Sequence, residues 1–327
     1  MRSQNGTKVL VAGGAGFIGS NLILNLLSRG AQITATLHKR PAQISDERVR
    51  FVQADLSQPA DCRLAVEGQD IVFICAANTS GAAVIAKTPL VHVTPNVLLN
   101  SMLLNAAYEC GVKKAVFISC SAAYPDRGSR PLEEHEMFDG DPPEIYYPVG
   151  WMKRYTEILC RMYAEKIKNP MSAVVVRASN MYGPYDNYDF ETSHMMAAFI
   201  RRCAERHSPF VVWGSGQDAR DLLYIDDFIE GMVAAAETYE NFAAVNLAAG
   251  KVYSVKEILE ILLHEGDHQQ AEVRLDASKP SMIPVRVVSI QKAQKDLGFT
   301  AKTSLKEGIR KTLDWYRAHK LEPQAKV

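Results

Sequence analysis

The run Gly13-Gly14-Ala15-Gly16-Phe17-Ile18-Gly19 follows the apolar stretch Val9-Leu10-Val11-Ala12 and precedes a segment with helical apolar spacing. Glycines so placed permit a tight turn, let backbone approach a pyrophosphate and let a helix pack close on a strand. The helix start adds unpaired N–H groups and the positive end of its dipole. Such a turn serves a dinucleotide, and Gly13, Gly16, Phe17, Ile18 and Gly19 are the residues expected to hold it. The second strand ends near Leu37, where an acidic side chain would meet the adenosine ribose of NAD, but His38-Lys39-Arg40 follows instead. Cations there suit a 2′-phosphate, so His38 and Arg40 favour NADP over NAD. The competing reading is a solvated basic loop. Asp55-Leu56 after the third strand are placed to meet adenine, and Ala76-Ala77 after the fourth are small enough to let a dinucleotide pass.

These residues need a scaffold of alternating strands and helices. Lys8–Ala12, Gln32–Thr36, Val49–Gln53, Ile71–Ile74, Lys114–Ser119 and Ser172–Arg177 read as strands. Phe17–Arg29, Asn96–Cys110 and Trp151–Lys168 read as helices between them. This alternation implies right-handed crossovers and an α/β fold, a doubly wound parallel Rossmann sheet. Helices on both faces account for strands that are apolar throughout rather than alternating. Beyond Ser179 the pattern loosens into a Gly/Pro/Tyr/Asn-rich loop, a helix at Met195–Glu205, a short strand at Phe210–Val212 and a helix from Asp226. Ser254/Glu257 and Ser304/Glu307 have capping-box spacing before two further helices. Residues 1–178 are expected to form the dinucleotide-binding domain. Residues 179–327 are expected to form mainly a smaller substrate-binding lobe, with some chain returning to the first domain and a frayed tail from Glu322.

Composition narrows the function. The 327 residues carry 37 Lys+Arg and 37 Asp+Glu, a net charge of zero, with no basic run of the kind that nucleic-acid binding by counterion release requires. No apolar run approaches the roughly 18 residues of a membrane span. The polar start Met1–Lys8 lacks a signal-peptide pattern. Six scattered cysteines without a CxxC pair point to reduced thiols in the cytoplasm and to no metal site.

Further segments carry a resemblance. They are Phe117-Ile118-Ser119-Cys120-Ser121 with Tyr124-Pro125, Gly150-Trp151-Met152-Lys153, and Arg177 through Pro184. Trp213-Gly214-Ser215-Gly216, Arg220-Asp221 and Tyr224-Ile225-Asp226-Asp227 complete the set. With the glycine turn, they resemble the extended short-chain dehydrogenase/reductases, the nucleotide-sugar epimerase and dehydratase superfamily, over nearly the whole chain. Tyr182 through Asn187, Ser193-His194 and the run from Lys279 through Arg286 are most similar to the GDP-L-fucose synthases. The resemblance implies an NAD(P)-dependent enzyme acting on a nucleotide-diphosphate sugar, with hydride transfer at C4 of the ring, in surface-polysaccharide sugar synthesis. It also implies Asn180, Arg202, Trp213, Arg220 and Lys279 as substrate contacts, and a homodimer or higher homo-oligomer built through two helices of the first domain. Arginine suits a diphosphate by bidentate geometry and tryptophan suits a base by stacking.

Departures from that pattern bear on catalysis. The superfamily places a tyrosine four residues before the lysine, on one helix face, where the lysine lowers the phenol's pKa. Lys153 is present, but Val149 occupies the tyrosine's place. Tyr146 and Tyr147 lie seven and six residues back, off that spacing. Tyr147 is the candidate displaced acid/base, swinging from a loop that Pro148 would hold irregular; the alternative is that both rings only line a pocket. Cys120 stands at the catalytic Ser/Thr place with Ser121 beside it. Either takes that role, Cys120 gaining thiolate character from Lys153, or both are pocket wall. Ala122 replaces the epimerising cysteine of the fucose synthases, while His194 keeps the histidine place and has a pKa suited to acid/base work. The expected chemistry is therefore oxidation or reduction without epimerisation. The alternative is a catalytically impaired protein of the same fold that binds cofactor and nucleotide sugar.

Overall fold

The structure, a computed structural model, describes residues 6–79, 88, 90–276, 278 and 283–321. Its strands in chain order are β1 Lys8–Ala12, β2 Gln32–Leu37, β3 Val49–Gln53, β4 Ile71–Ile74, β5 Lys114–Cys120, β6 Ser172–Ala178 and β7 Asn180–Tyr182. They continue with β8 Phe210–Trp213, β9 Ala219–Tyr224, β10 Phe242–Leu247, β11 Val252–Ser254, β12 Val273–Asp276 and β13 Val285–Arg286. Its helices are α1 Phe17–Ser28, α2 Pro59–Val66, α3 Leu90–Glu109, α4 Tyr147–Glu165, α5 Met195–Ala204, α6 Ile225–Thr238, α7 Val255–Glu265, α8 Gln291–Leu297 and α9 Leu305–Tyr316. None of the helices among the described residues is long and apolar enough to cross a membrane.

Seven strands make one sheet in the order β10-β6-β5-β4-β1-β2-β3, and every pairing in it is parallel. The doubly wound Rossmann expectation is met. The chain winds outward from β1 through β3, then returns to β4 and winds the other way, so the switch point lies between β1 and β4. Ligands of such sheets bind at the carboxyl ends of the strands beside that point. Val9 and Val11 pack into the α1 and α6 layer, whereas Leu10 and Ala12 pack with α2, α3 and α4. Both faces of β1 are covered, which is why its sequence does not alternate. The C-terminal part adds a small sheet ordered β11-β9-β13, with β7 on β9, and a β8–β12 pair.

Two helices start earlier than the sequence indicates. α4 begins at Tyr147 rather than Trp151, with Pro148 inside its first turn. A proline there loses nothing, because the first-turn N–H groups have no helical partner in any case. α3 begins at Leu90 and carries Pro95 within it. Pro95 cannot donate to the carbonyl four residues back, that of Val91, and the Asn78 side chain donates to it instead at 2.9 Å. The Ser254/Glu257 capping box forms in both directions. At Ser304 only the amide of Glu307 is capped, since the Glu307 carboxylate pairs with Lys311 at 2.8 Å. The tail from Glu322 lies outside the described residues.

A buried polar hub ties these layers together. Arg177 on β6 meets Glu157 on α4 at 2.6 Å, and both side chains are almost fully enclosed. Arg177 also donates to the Tyr124 hydroxyl at 2.9 Å, which donates in turn to Asn246 Oδ1 on β10 at 2.7 Å. Removing one partner of a buried pair strands the other charge without water. Glu157→Leu is therefore expected to lose about 3–5 kcal/mol of stability, measured by urea unfolding. A loss below about 1 kcal/mol, the size of an ordinary neutral hydrogen bond, would show that Arg177 is satisfied by its neutral partners alone.

Candidate active site

The glycine turn is built by close approach. Gly13 has φ +91°, and a Cβ there would lie 2.7 Å from the Ala76 backbone at the end of β4. A Cβ on Gly19 would run into the Gly13 carbonyl. Thr36 on β2 accepts the Gly13 amide through Oγ1 at 2.9 Å and the Gly14 amide through its carbonyl at 2.9 Å. Gly16 is the N-cap of α1 and has no side chain to accept the first-turn amides, so the N–H groups around Phe17 and Ile18 lack a side-chain cap. A Cβ on Gly16 would come within 3.3 Å of the Gly13 carbonyl and otherwise meet open space among the described residues. The turn, Ala76 and the cap position thus fit a dinucleotide pyrophosphate.

At the adenosine end, His38, Lys39 and Arg40 lie beyond β2, with Lys39 and Arg40 exposed. Asp55 is half-buried; the Ser57 hydroxyl and amide, with smaller help from His38 and Lys39, hold its carboxyl below the usual range. The Leu56 side chain is buried in the core with Cys62 and Val66. Ala77 follows Ala76 just beyond the carboxyl end of β4.

The catalytic candidates gather at the end of β5. Lys153 is half-buried on the first turns of α4, donates to the Ile118 carbonyl at 2.7 Å and lies 4.9 Å from the centre of the Phe117 ring. Burial lowers its pKa, against smaller opposing effects of Cys120 and Glu157. For Cys120 burial outweighs the pull of Lys153 and raises the thiol's pKa, so the thiolate expectation is corrected. Ser121 is buried in the 3₁₀ turn Ser121–Ala123. Tyr147 is 44% exposed and sets its ring edgewise on Trp151. Tyr146 is half-buried and within electrostatic reach of Cys120, Arg220 and Arg286. Of the two tyrosines it is Tyr146 whose ionisation Cys120 and the two arginines influence, while Tyr147 turns to Trp151. Seven residues are two helical turns, so the spacing from Lys153 already carried that signal.

The substrate-side residues are more dispersed. Arg220 is half-buried and donates to Asp218 and to the carbonyls of Ala219 and Ile283. Asn180 donates to the Asp221 carbonyl at 3.1 Å. Arg202 lies 4.8 Å from the centre of the Phe190 ring, and Trp213 is 45% exposed at the end of β8. Lys279 lies outside the described residues. His194 is the N-cap of α5 and an exposed residue, yet desolvation of its ring and the nearby His92 lower its pKa below the usual imidazole value. Arg286 joins the site although no spacing rule singles it out. It pairs in register with Arg220 across β13 and β9 and has two buried nitrogens, Nε and Nη2, without a partner among the described residues.

The open space at Gly16 makes a clean test. Gly16→Val should fold, because nothing but one carbonyl crowds the new side chain, yet its methyls cover the capping amides. Dinucleotide affinity by calorimetry is expected to fall at least about tenfold, a loss of about 1.4 kcal/mol, with the unfolding midpoint near native. Unchanged affinity would move the cofactor away from this turn.

With that geometry in place, likenesses to known proteins acquire a site. The NAD dependent epimerase/dehydratase family profile matches residues 9–250. A probable GDP-L-fucose synthase 1 of Oryza sativa subsp. japonica is 29% identical, over 96% of this chain and 93% of its own length. A dTDP-4-dehydro-6-deoxy-D-allose reductase of a Streptomyces species is 27% identical, over 96% and 98%. The solved UDP-glucose 4-epimerase of Thermus thermophilus, a complex with NAD, superposes with a TM-score of 0.80 at 26% identity, covering 95% of this chain and 99% of that one. The glycine turn at the switch point, the lysine on α4 and a match from β1 to beyond β10 agree: the chain belongs to the NAD dependent epimerase/dehydratase family of nicotinamide-dependent nucleotide-sugar enzymes.

Proposed function

We propose that this protein is an NAD(P)-dependent reductase of a nucleotide-diphosphate 4-keto sugar, GDP-linked in the first instance, that does not epimerise. The observation that carries this reading is the convergence of the Gly13–Gly19 turn, Ala76, Cys120 and Lys153 at the carboxyl end of the central strands β1, β4 and β5, with Ala122 where an epimerising base would stand. The bound nicotinamide supplies the hydride. Gly13, Gly16 and the Phe17–Gly19 turn hold the pyrophosphate, and Lys153 orients the nicotinamide ribose. Asn180, Arg202, Trp213, Arg220 and Lys279 are the residues proposed for the nucleotide diphosphate. The fucose synthases and the dehydro-deoxyallose reductase among the relatives support the choice of substrate class. The cations of His38-Lys39-Arg40 beyond β2 support NADPH over NADH.

The test is single-turnover nicotinamide absorbance with GDP-, UDP- and dTDP-4-keto sugars, run with NADPH and with NADH. Native protein is expected to oxidise NADPH with a GDP-4-keto sugar, and Lys153→Met to abolish turnover. If no sugar nucleotide changes the cofactor's redox state, the reading gives way to a binding protein of the same fold. Faster reaction with NADH would mark His38–Arg40 as a solvated loop.

We also propose a homodimer through α3 and α4. Leu98, Trp151, Tyr155, Ile158 and Met162 leave an apolar face on these two helices exposed. Light scattering is expected to give twice the 36.2 kDa chain mass, and Ile158→Glu to give the monomer. A native monomer overturns this.

A further inference from the structure

We propose that Tyr146 is the phenol that exchanges a proton with the sugar, and that Arg286 is the positioning residue that holds its charge once the proton has left. This rests on the reductase reading and supplies the group that Val149 cannot.

Three observations place Tyr146. First, it is the N-cap of α4, and the segment before it is locked. Gly150 lets Pro142 pack directly on the helix, since a Cβ there would lie 2.5 Å from the Pro142 Cβ. Arg154, fully buried, ties the same stretch down by donating to the carbonyls of Ala123 at 2.9 Å and Gly140 at 2.6 Å. Second, Tyr146 is half-buried rather than turned wholly to solvent. Its charged and titratable neighbours are Arg220, Cys120 and Arg286. Third, Arg286 is buried to 8% exposure, and only its Nη1 is used, on the carbonyls of Tyr124 at 3.0 Å and Pro125 at 2.9 Å. Its Nε and Nη2 have no partner among the described residues. Asp126 is the strongest of the charges acting on Arg286, ahead of Cys120 and Tyr146, but it makes no hydrogen bond to Nε or Nη2 among the described residues. An anion that reached those two nitrogens would answer a costly buried charge, and the Tyr146 phenolate is such an anion. Lys153, which would do this for a tyrosine four residues back, gives one of its three N–H donors to the Ile118 carbonyl and is proposed above to hold the nicotinamide ribose.

The direction of proton transfer follows from the surroundings. Burial raises the phenol's pKa more than Arg220 and Arg286 lower it, so the group is protonated at neutral pH and gives its proton rather than taking one. In the reducing direction the carbonyl carbon of the sugar gains a hydride from the reduced nicotinamide. The C=O π pair forms an O–H bond with the Tyr146 proton. The phenolate left behind sits against Arg286 until water reprotonates it. Oxidation runs the same transfers in reverse.

Two measurements test this on the full chain. In single turnover with NADPH and the 4-keto sugar nucleotide, Tyr146→Phe is expected to slow reduction about 10²–10⁴-fold, with sugar-nucleotide affinity by calorimetry unchanged. Adding Val149→Tyr to that variant should restore part of the rate. The second measurement needs no turnover: a pH titration followed by NMR of ring-carbon-labelled tyrosine. One resonance should vanish in Tyr146→Phe. Its midpoint should rise in Arg286→Met and stay near native in Arg286→Lys, which keeps the charge if the larger change impairs folding. An undiminished rate in Tyr146→Phe, or loss in Tyr147→Phe instead, overturns the role of Tyr146. A midpoint indifferent to Arg286→Met overturns that of Arg286. If native protein reduces no sugar nucleotide, the reductase reading fails, and the titration still decides whether Tyr146 and Arg286 are coupled.

Discussion

The enclosed pair of Arg177 and Glu157 is the interaction on which the site's geometry depends. An arginine taken out of water is costly unless partners answer its charge, and here the answers come from distant parts of the chain: Glu157 on α4, the Tyr124 hydroxyl, the Glu134 carbonyl and, through Tyr124, Asn246 on β10. Asn246 then donates to the carbonyls of Leu132 and Ser289. The same tyrosine offers its backbone carbonyl to Arg286. The helix carrying Lys153, the turn carrying Ser121 and the strand carrying Arg286 are therefore held in one frame by groups that cannot be unpaired singly.

That frame explains how the chain departs from its family's catalytic pattern without losing its shape. Val149 removes the hydroxyl at the usual place, yet the fold around it is undisturbed, because the hub lies deeper and uses other residues. Pro148 tightens the start of α4 rather than breaking it. A half-buried tyrosine, Tyr146, stands at the head of the helix, three residues before Val149. In the proposal above, its charge is compensated by Arg286 on the small sheet rather than by an ammonium on the helix.

A comparable substitution supports the cofactor side. Pro95 would leave the Val91 carbonyl without a donor in α3, and Asn78, just beyond the Gly13–Ala76 contact, donates to it. Asn78 is further fixed by Asn96, whose amide oxygen accepts its backbone N–H at 2.7 Å. The strand end that lines the dinucleotide crevice and the helix with the exposed apolar face are thus joined by a few hydrogen bonds that one asparagine makes possible.

The glycine turn, the parallel sheet and the family resemblance were legible in the sequence because each rests on local rules. Glycine at Gly13 and Gly19 is demanded by contacts a few residues away or on the adjoining strand, and apolar runs such as Val9–Ala12 announce burial on two faces. The capping box at Ser254 is equally local. Other features depend on what lies opposite in space. Tyr146 and Tyr147 are neighbours in sequence, and the two-turn spacing from Lys153 favours the first, but only the folded chain half-buries Tyr146 under the influence of Arg220, Cys120 and Arg286 and leaves Tyr147 exposed on Trp151. Cys120 sits four residues from a tyrosine in any reading, but its proton affinity is set by how much protein surrounds it. Arg286 is one arginine among many until register places it beside Arg220 with two nitrogens unpaired among the described residues. Periodicity and turn chemistry determine the scaffold; desolvation and long-range pairing determine which side chains can do chemistry, and those exist only once the chain has closed on itself.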